Sequence, residues 1–76
     1  MKSVQVSFSS TESVKDFVNA VSHYPFDVDM HSGRYIVDAK SLLGIFSLDL
    51  AKPITCEIYS DNCAELLKDI AKFIVK

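Results

Sequence analysis

The stretch that decides the fold is DAKSLLGIFSL, residues 38–48. Its apolar residues recur at the spacing of one helix face, at Leu42, Ile45 and Phe46, while Leu43 lies off that face. Ser41 directly precedes this run and is the expected N-cap, because its side-chain oxygen can accept from a free N–H of the first turn. The stretch therefore predicts a capped helix of about two turns, with Leu43 facing outward.

Strand signals lie on both sides of this helix. Residues 2–8 alternate with a period of two, which places Val4, Val6 and Phe8 on one face. Residues 25–39 read as a hairpin whose turn spans residues 31–34 and includes His31, with Gly33 able to take a positive φ. Residues 53–59 form a further strand that begins at Pro53, where a missing N–H matters least.

Two longer segments have the 3.6-residue period of amphipathic helices. The first carries Val14, Phe17, Val18 and Val21 on one face, and Pro25 prevents it from continuing. Ser10 or Thr11 can cap its start, and Ser9 with Glu12 fits the capping-box pattern, which Ser10 with Ser13 does not. The second runs over residues 63–76, with Asn62 as its expected cap and Lys72 and Lys76 in its last turns. Its predicted buried stripe is Leu66, Leu67, Ile70, Phe73 and Ile74.

The element order is therefore βαββαβα, in one domain over residues 1–76. We predict an α+β fold, an open-faced two-layer β-sandwich whose four-stranded antiparallel sheet carries three helices on one face. The other face of the sheet is polar enough to meet water; its predicted residues are Ser3, Gln5, Ser7, Asp27, Asp29, Thr55 and Glu57.

Composition narrows the classes of function. The 76 residues are 49% hydrophobic and 24% charged, as in a globular domain, and the net charge of −2 disfavours nucleic acid as a partner. No apolar run approaches the roughly 20 residues of a membrane helix, and the alternating start does not resemble a signal peptide, so we expect a cytoplasmic protein that does not enter the membrane. Cys56 and Cys63 are expected as thiols. Neither they nor the two histidines have zinc-finger spacing, so we expect no metal and no cofactor.

Residues 33–34 and 38–48, together with the element order and the length, resemble HPr, the phosphocarrier of the bacterial sugar phosphotransferase system. HPr proteins commonly carry NAKS followed by an apolar pair and a glycine, where this chain has DAKS, Leu42, Leu43 and Gly44. A ferredoxin-like fold is the competing small architecture. It explains neither the short capped helix nor the additional helix at the end.

The resemblance implies a phosphorylated histidine at the start of the first helix, followed by an arginine. This chain has Ser10 roughly in place of the histidine and Glu12 in place of the arginine, and the preceding loop is shorter. Asp49 stands where the family has a glycine near the phosphohistidine. We therefore expect no phosphocarrier activity at the family's site, and we interpret His23 and His31 as a helix-end and a turn histidine.

The resemblance also implies roles around the middle helix. In HPr proteins of low-GC Gram-positive bacteria, the serine that Ser41 matches is phosphorylated by an ATP-dependent kinase, and the product binds a transcriptional regulator. The apolar pair beside it docks partners such as enzyme I. The expected partner-binding residues here are Lys40, Leu42, Leu43 and Phe46, and Ser41 is either a regulatory phosphorylation site or only a cap.

Three interpretations remain open at this point. The leading one is an HPr-like protein that binds and regulates, switched at Ser41, and that is not an enzyme. The second is a working phosphocarrier that accepts a phosphoryl group from enzyme I at an unconventional residue, such as His31. The third is an interaction domain that shares only the fold. All three predict protein partners, which for the first two are enzyme I, an HPr kinase or a transcriptional regulator.

Overall fold

The structure, a computed structural model, describes residues 1–75 and has the predicted α+β architecture. Its elements in chain order are β1 (Lys2–Val6), α1 (Thr11–Ser22), β2 (Val28–Ser32), β3 (Tyr35–Asp38), α2 (Leu42–Phe46), β4 (Ile54–Ile58), α3 (Ala64–Asp69) and a 3₁₀ turn (Ala71–Phe73). The four strands form one antiparallel sheet in the order β1-β4-β2-β3. The helices cover one face of this sheet, so the predicted open-faced sandwich is confirmed.

Period-two alternation separates the two faces of the sheet. In β4, Ile54, Cys56 and Ile58 are buried, while Thr55 and Glu57 between them are partly exposed. The open face is polar as predicted, and the cross-strand register brings Ser3, Glu57, Asp29 and Asp38 into one row and Gln5, Thr55, His31 and Ile36 into the next.

Three aromatic rings join α1 to the two ends of the described chain. Phe17, fully buried in α1, meets Phe8 at 5.2 Å and Phe73 at 5.6 Å between ring centroids, edge-on in both cases. Phe8 and Phe73 are 5.7 Å apart. Edge-to-face pairs at these distances add to the stabilisation from burial alone. This cluster therefore fixes the position of α1 on the sheet.

The cap of α1 differs from the predicted capping box. Ser10 is the N-cap and accepts from the Ser13 backbone N–H at 3.2 Å, while the Ser13 hydroxyl accepts from the Ser10 N–H at 3.1 Å. The expected pairing of Ser9 with Glu12 was wrong. Ser13 takes the place of the Glu or Gln of the standard capping box, since its side chain bonds back to the N-cap residue. Its hydroxyl also donates to the Ser10 carbonyl at 2.6 Å.

The last helix is shorter than predicted. Cys63 occupies its N-cap and makes no side-chain cap bond, so Asn62 does not cap it. The α-helix ends at Asp69, since Ile70 has a ψ of 9°, and a 3₁₀ turn follows. The break brings Ile74 beside Val6, and backbone bonds then join residues 73–75 to the outer edge of β1. The prediction for Lys76 lies outside the described residues.

Two boundaries in the strands also differ from the sequence prediction. The hairpin turn consists of Gly33 and Arg34 alone, with Gly33 at a φ of 60°. This tight turn leaves His31 inside β2, on the open face opposite Thr55, so the assignment of His31 to the turn was wrong. Strand β4 starts at Ile54, one residue after Pro53.

Candidate functional site

The hydroxyl of Ser41 caps the N-terminus of the middle helix α2, as predicted. Ser41 is the N-cap, with extended backbone dihedrals, and its Oγ accepts from the Gly44 N–H at 3.1 Å. The chain enters this cap through a compact turn, in which the Asp38 carboxylate accepts from the Lys40 N–H at 2.9 Å and the Asp38 carbonyl accepts from the Ser41 N–H at 3.0 Å. Ser41 is therefore held in one backbone conformation while its side chain remains partly exposed.

Gly44 is required by close packing in α2. A Cβ added there would lie 3.2 Å from the Ser41 Oγ and 3.2 Å from the Val37 Cβ. Contacts this short force one neighbour to move. The absent side chain keeps the cap hydroxyl against the first turn of the helix.

The predicted partner-binding residues differ in exposure. Leu43 projects into solvent with 83% of its surface exposed, whereas Leu42 and Phe46 are half-buried against the core. The Lys40 ammonium donates to the Tyr24 carbonyl at 2.8 Å, which ties the α2 region to the end of α1. The exposed surface of this region is therefore one aliphatic side chain with two half-buried apolar neighbours. We refer to Lys40, Leu42, Leu43 and Phe46 as the α2 surface.

The start of α1, where the resemblance places the family's histidine, lies in a shallow cleft of about 430 Å³. Ser10 lines it, but its Oγ accepts from the Ser13 N–H and its backbone N–H donates to the Ser13 hydroxyl, so both groups are engaged in the capping box. Glu12 and Asp16 bring two carboxylates to the cleft and Lys72 one ammonium, 4.0 Å from the Asp16 carboxylate. The formal charge of these side chains is negative, which opposes binding of a phosphoryl dianion.

The two histidines lie away from this cleft. His23 is the C-cap of α1, at the opposite end of a 12-residue helix, and its Nδ1 lies 2.7 Å from the Asn19 carbonyl oxygen. His31 is on the open face, where its Nε2 lies 3.1 Å from a Glu57 carboxylate oxygen without the alignment of a hydrogen bond. Neither side chain meets the N-terminus of α1, which is where the resemblance places the family's histidine.

Other classes of site find no support in the described part of the chain. Residues 1–75 contain no group of three or more His, Cys, Asp or Glu side chains placed to hold a metal ion. Within the same residues no helix has the length and hydropathy needed to cross a membrane. Cys56 and Cys63 are both free and buried.

Sequence reasoning missed two residues that shape these sites. Ser13 completes the cap of α1, and the signal was present as a second serine three residues after Ser10. The contact between Lys40 and Tyr24 had no local signal, because 16 residues separate the two partners.

Comparisons with known proteins find similarity to solved structures, but none to family models or curated sequences. No model of a known protein family matches the chain. No curated protein sequence matches it either. Its structure is similar to the phosphocarrier protein HPr from Bacillus anthracis strain Ames, with 27% identity, a TM-score of 0.72, and coverage of 97% of this chain and 94% of that one. It is also similar to HPr-C-His from Thermoanaerobacter tengcongensis, with 21% identity, a TM-score of 0.73, and coverage of 95% and 89%. The predicted HPr fold is thereby confirmed.

Proposed function

We propose that this chain is an HPr-type binding and regulatory protein, related to the bacterial sugar phosphotransferase system, that acts in the cytoplasm and is not itself an enzyme. The HPr fold supports the relation to that system. The observation that carries the loss of phosphocarrier chemistry is Glu12 in the cleft at the start of α1, beside a Ser10 hydroxyl engaged in the helix cap.

The chemistry of the cleft supports this loss. A phosphocarrier site needs a neutral nitrogen nucleophile and cationic or N–H donors around the phosphoryl oxygens. The N-terminus of α1 supplies N–H groups, but Glu12 and Asp16 place carboxylates beside them. A serine ester formed at Ser10 would also be too stable to pass its phosphoryl group on readily. The site therefore lacks the means both to accept and to release that group.

Regulation at Ser41 is the second part of the proposal. A phosphate on this residue would add a charge of about −1.5 to −2 beside the N–H groups of the first turn of α2. The Ser41 backbone is already extended and fixed by the Asp38 turn, so the modification leaves the path of the chain unchanged. The added charge would lie one residue from Leu42 on the α2 surface. Phosphorylation would thus change which partner this surface accepts.

The experiment that tests both parts is an intact-mass measurement in two parallel reactions. One contains the protein with enzyme I and phosphoenolpyruvate, and the other contains it with an HPr kinase and ATP. We expect one phosphoryl group to be added in the kinase reaction only. Ser41→Ala should abolish that addition, whereas the matched control Ser47→Ala, at the other end of α2, should retain it.

Each of the other outcomes would favour a different function. A phosphoryl group gained from enzyme I and lost in acid would show phosphohistidine, and would favour a working phosphocarrier that uses His31 or His23. No gain in either reaction would contradict the serine switch. The Bacillus anthracis HPr serves as the positive control for the enzyme I reaction.

Docking on the α2 surface gives a separate prediction. Leu43 is 83% exposed and contributes little to the core. Leu43→Asp should therefore change the free energy of unfolding by no more than about 0.5 kcal/mol, as is usual for surface substitutions. If Leu43 anchors enzyme I, the same substitution should weaken binding about tenfold or more, as loss of a central apolar anchor does. Isothermal titration calorimetry measures this, with Val75→Asp as an exposed apolar control. Equal affinities of the two variants would contradict the assignment.

A further inference from the structure

The outer edge of β3 is an uncovered, self-complementary edge of the sheet, and we propose that two copies of this chain pair through it, antiparallel, about a two-fold axis at Ile36. The strand order places β1 and β3 at the two edges. Backbone bonds from residues 73–75 cover β1 at residues 5–7, where the Ser7 N–H donates to the Phe73 carbonyl and the Val75 N–H to the Gln5 carbonyl, both at 2.8 Å. Within the described residues no strand covers β3 in this way.

The free backbone N–H and C=O groups of β3 lie at the residues that this pairing requires. The two-residue turn pairs Ser32 with Tyr35, and the Ala39 N–H donates to the Val28 carbonyl at 2.9 Å. Odd-numbered residues of this segment therefore bond to β2, and the N–H and C=O of Ile36 point away from the sheet. An antiparallel pair centred on Ile36 is then a hydrogen-bonded pair, in which the two Ile36 residues exchange both backbone bonds.

The side chains of β3 match one another under the same two-fold axis. Asp38 is the last residue of β3 and Arg34 is the turn residue directly before that strand. They lie two residues on either side of Ile36, so the register continued into the turn brings each Arg34 opposite the Asp38 of the second copy. The residues opposite one another share a face, which places Ile36, 61% exposed, against its own copy and Tyr35, 70% exposed, against Val37. A parallel arrangement would instead align like charges. The strand is thus complementary to itself in one orientation.

The charges around this edge also favour a second copy. Asp38 lies directly opposite Asp29 in the register, and like charges so placed destabilise a sheet. Arg34 makes no ion pair within the described residues, and the guanidinium of the second copy would arrive beside this carboxylate pair. Pairing therefore brings together opposite charges that form no ion pair within the described part of one chain, and it buries two exposed apolar side chains in each copy. The assembly has the closed two-fold symmetry that dimers commonly adopt.

Charge reversal tests this proposal by sedimentation velocity, from micromolar to millimolar protein. The wild-type chain should shift from monomer to dimer as its concentration rises. Arg34→Asp and Asp38→Arg should each weaken the dimer roughly tenfold, because every reversal turns two attractive pairs into repulsive ones. Lys2→Asp, a reversal on β1 at the opposite edge, should leave the dimer unchanged. Circular dichroism confirms that each variant is folded.

The decisive measurement is rescue of the dimer. The Arg34→Asp/Asp38→Arg double variant restores both opposite-charge pairs and should dimerise like the wild type. An equimolar mixture of the two single variants should also form a heterodimer. In it, the carboxylate introduced at position 34 of one chain faces the guanidinium introduced at position 38 of the other, and the unchanged Arg34 faces the unchanged Asp38. A chain that stays monomeric at every concentration, or a dimer insensitive to the single reversals, overturns the proposal. Failure of both rescues overturns it as well.

Discussion

Phe17→Ala is expected to lower the free energy of unfolding by about 4 kcal/mol, the largest effect of any single substitution considered for this chain. Phe17 is fully buried and lies between Phe8 and Phe73, so its removal leaves a cavity and breaks two edge-on ring contacts. A domain of this length has a total stability of about 4 to 11 kcal/mol. The variant should therefore retain about 0 to 7 kcal/mol and unfold at a much lower urea concentration than the wild type, as measured by urea denaturation followed by circular dichroism.

The matched control for this prediction is Phe46→Ala. Phe46 is also a phenylalanine on a helix, but it is half-buried and belongs to none of the ring pairs of the aromatic cluster. Its truncation should cost roughly half as much, because less apolar area is returned to water. Equal losses for the two variants would contradict the assignment of Phe17 as the residue that fixes α1 on the sheet.

Alkaline pH is expected to destabilise the protein through Cys56. Burial in β4, beside Asp29 and Glu57, raises the pKa of the Cys56 thiol from about 9 to about 12. The unfolded chain therefore loses this proton first as pH rises. The Cys56 contribution to stability is complete below pH 9 and is lost between pH 9 and 12, at about 1.4 kcal/mol for each pH unit.

Removing the thiol should flatten this decline. Cys56→Val keeps an apolar side chain at the same strand position, and Ile58→Val is the control, a core change in β4 with no titrating group. Urea denaturation from about pH 8 to about pH 11 should give a smaller loss of stability for Cys56→Val than for the control. Some decline remains, because the hydrogen bond to Asp69 raises the pKa of Tyr24 to about 12. Parallel declines in the two variants would contradict the prediction.

The features that the sequence predicted correctly are those set by local periodicity. Alternation in β4 identified Ile54, Cys56 and Ile58 as buried, and helical spacing identified Phe17 and Val21. The cap of α2 was equally local, since Ser41 and the N–H that it accepts from are three residues apart.

The boundaries that were wrong depend on contacts distant in sequence. The last helix ends at Asp69, and Ile74 then pairs with Val6, a partner that nothing in residues 63–76 alone indicates. His31 was assigned to the turn because the sequence does not show how far β2 continues before Gly33. The candidate site at Ser10 depended on the family resemblance, whereas its capping by Ser13 was a local feature that a strict Ser-x-x-Glu pattern excludes.

The position of β1 in the sheet has a consequence for biosynthesis. Residues 2–6 are synthesised before every strand residue that they pair with, because those partners lie at 54–58 and at Ile74. The internal hydrogen bonds of helix α1 and of the β2–β3 hairpin join residues close in sequence, so both can form while translation continues, whereas β1 must wait for distant partners. Its apolar residues, Val4 and Val6, are therefore the part of the nascent chain that stays available longest to chaperones.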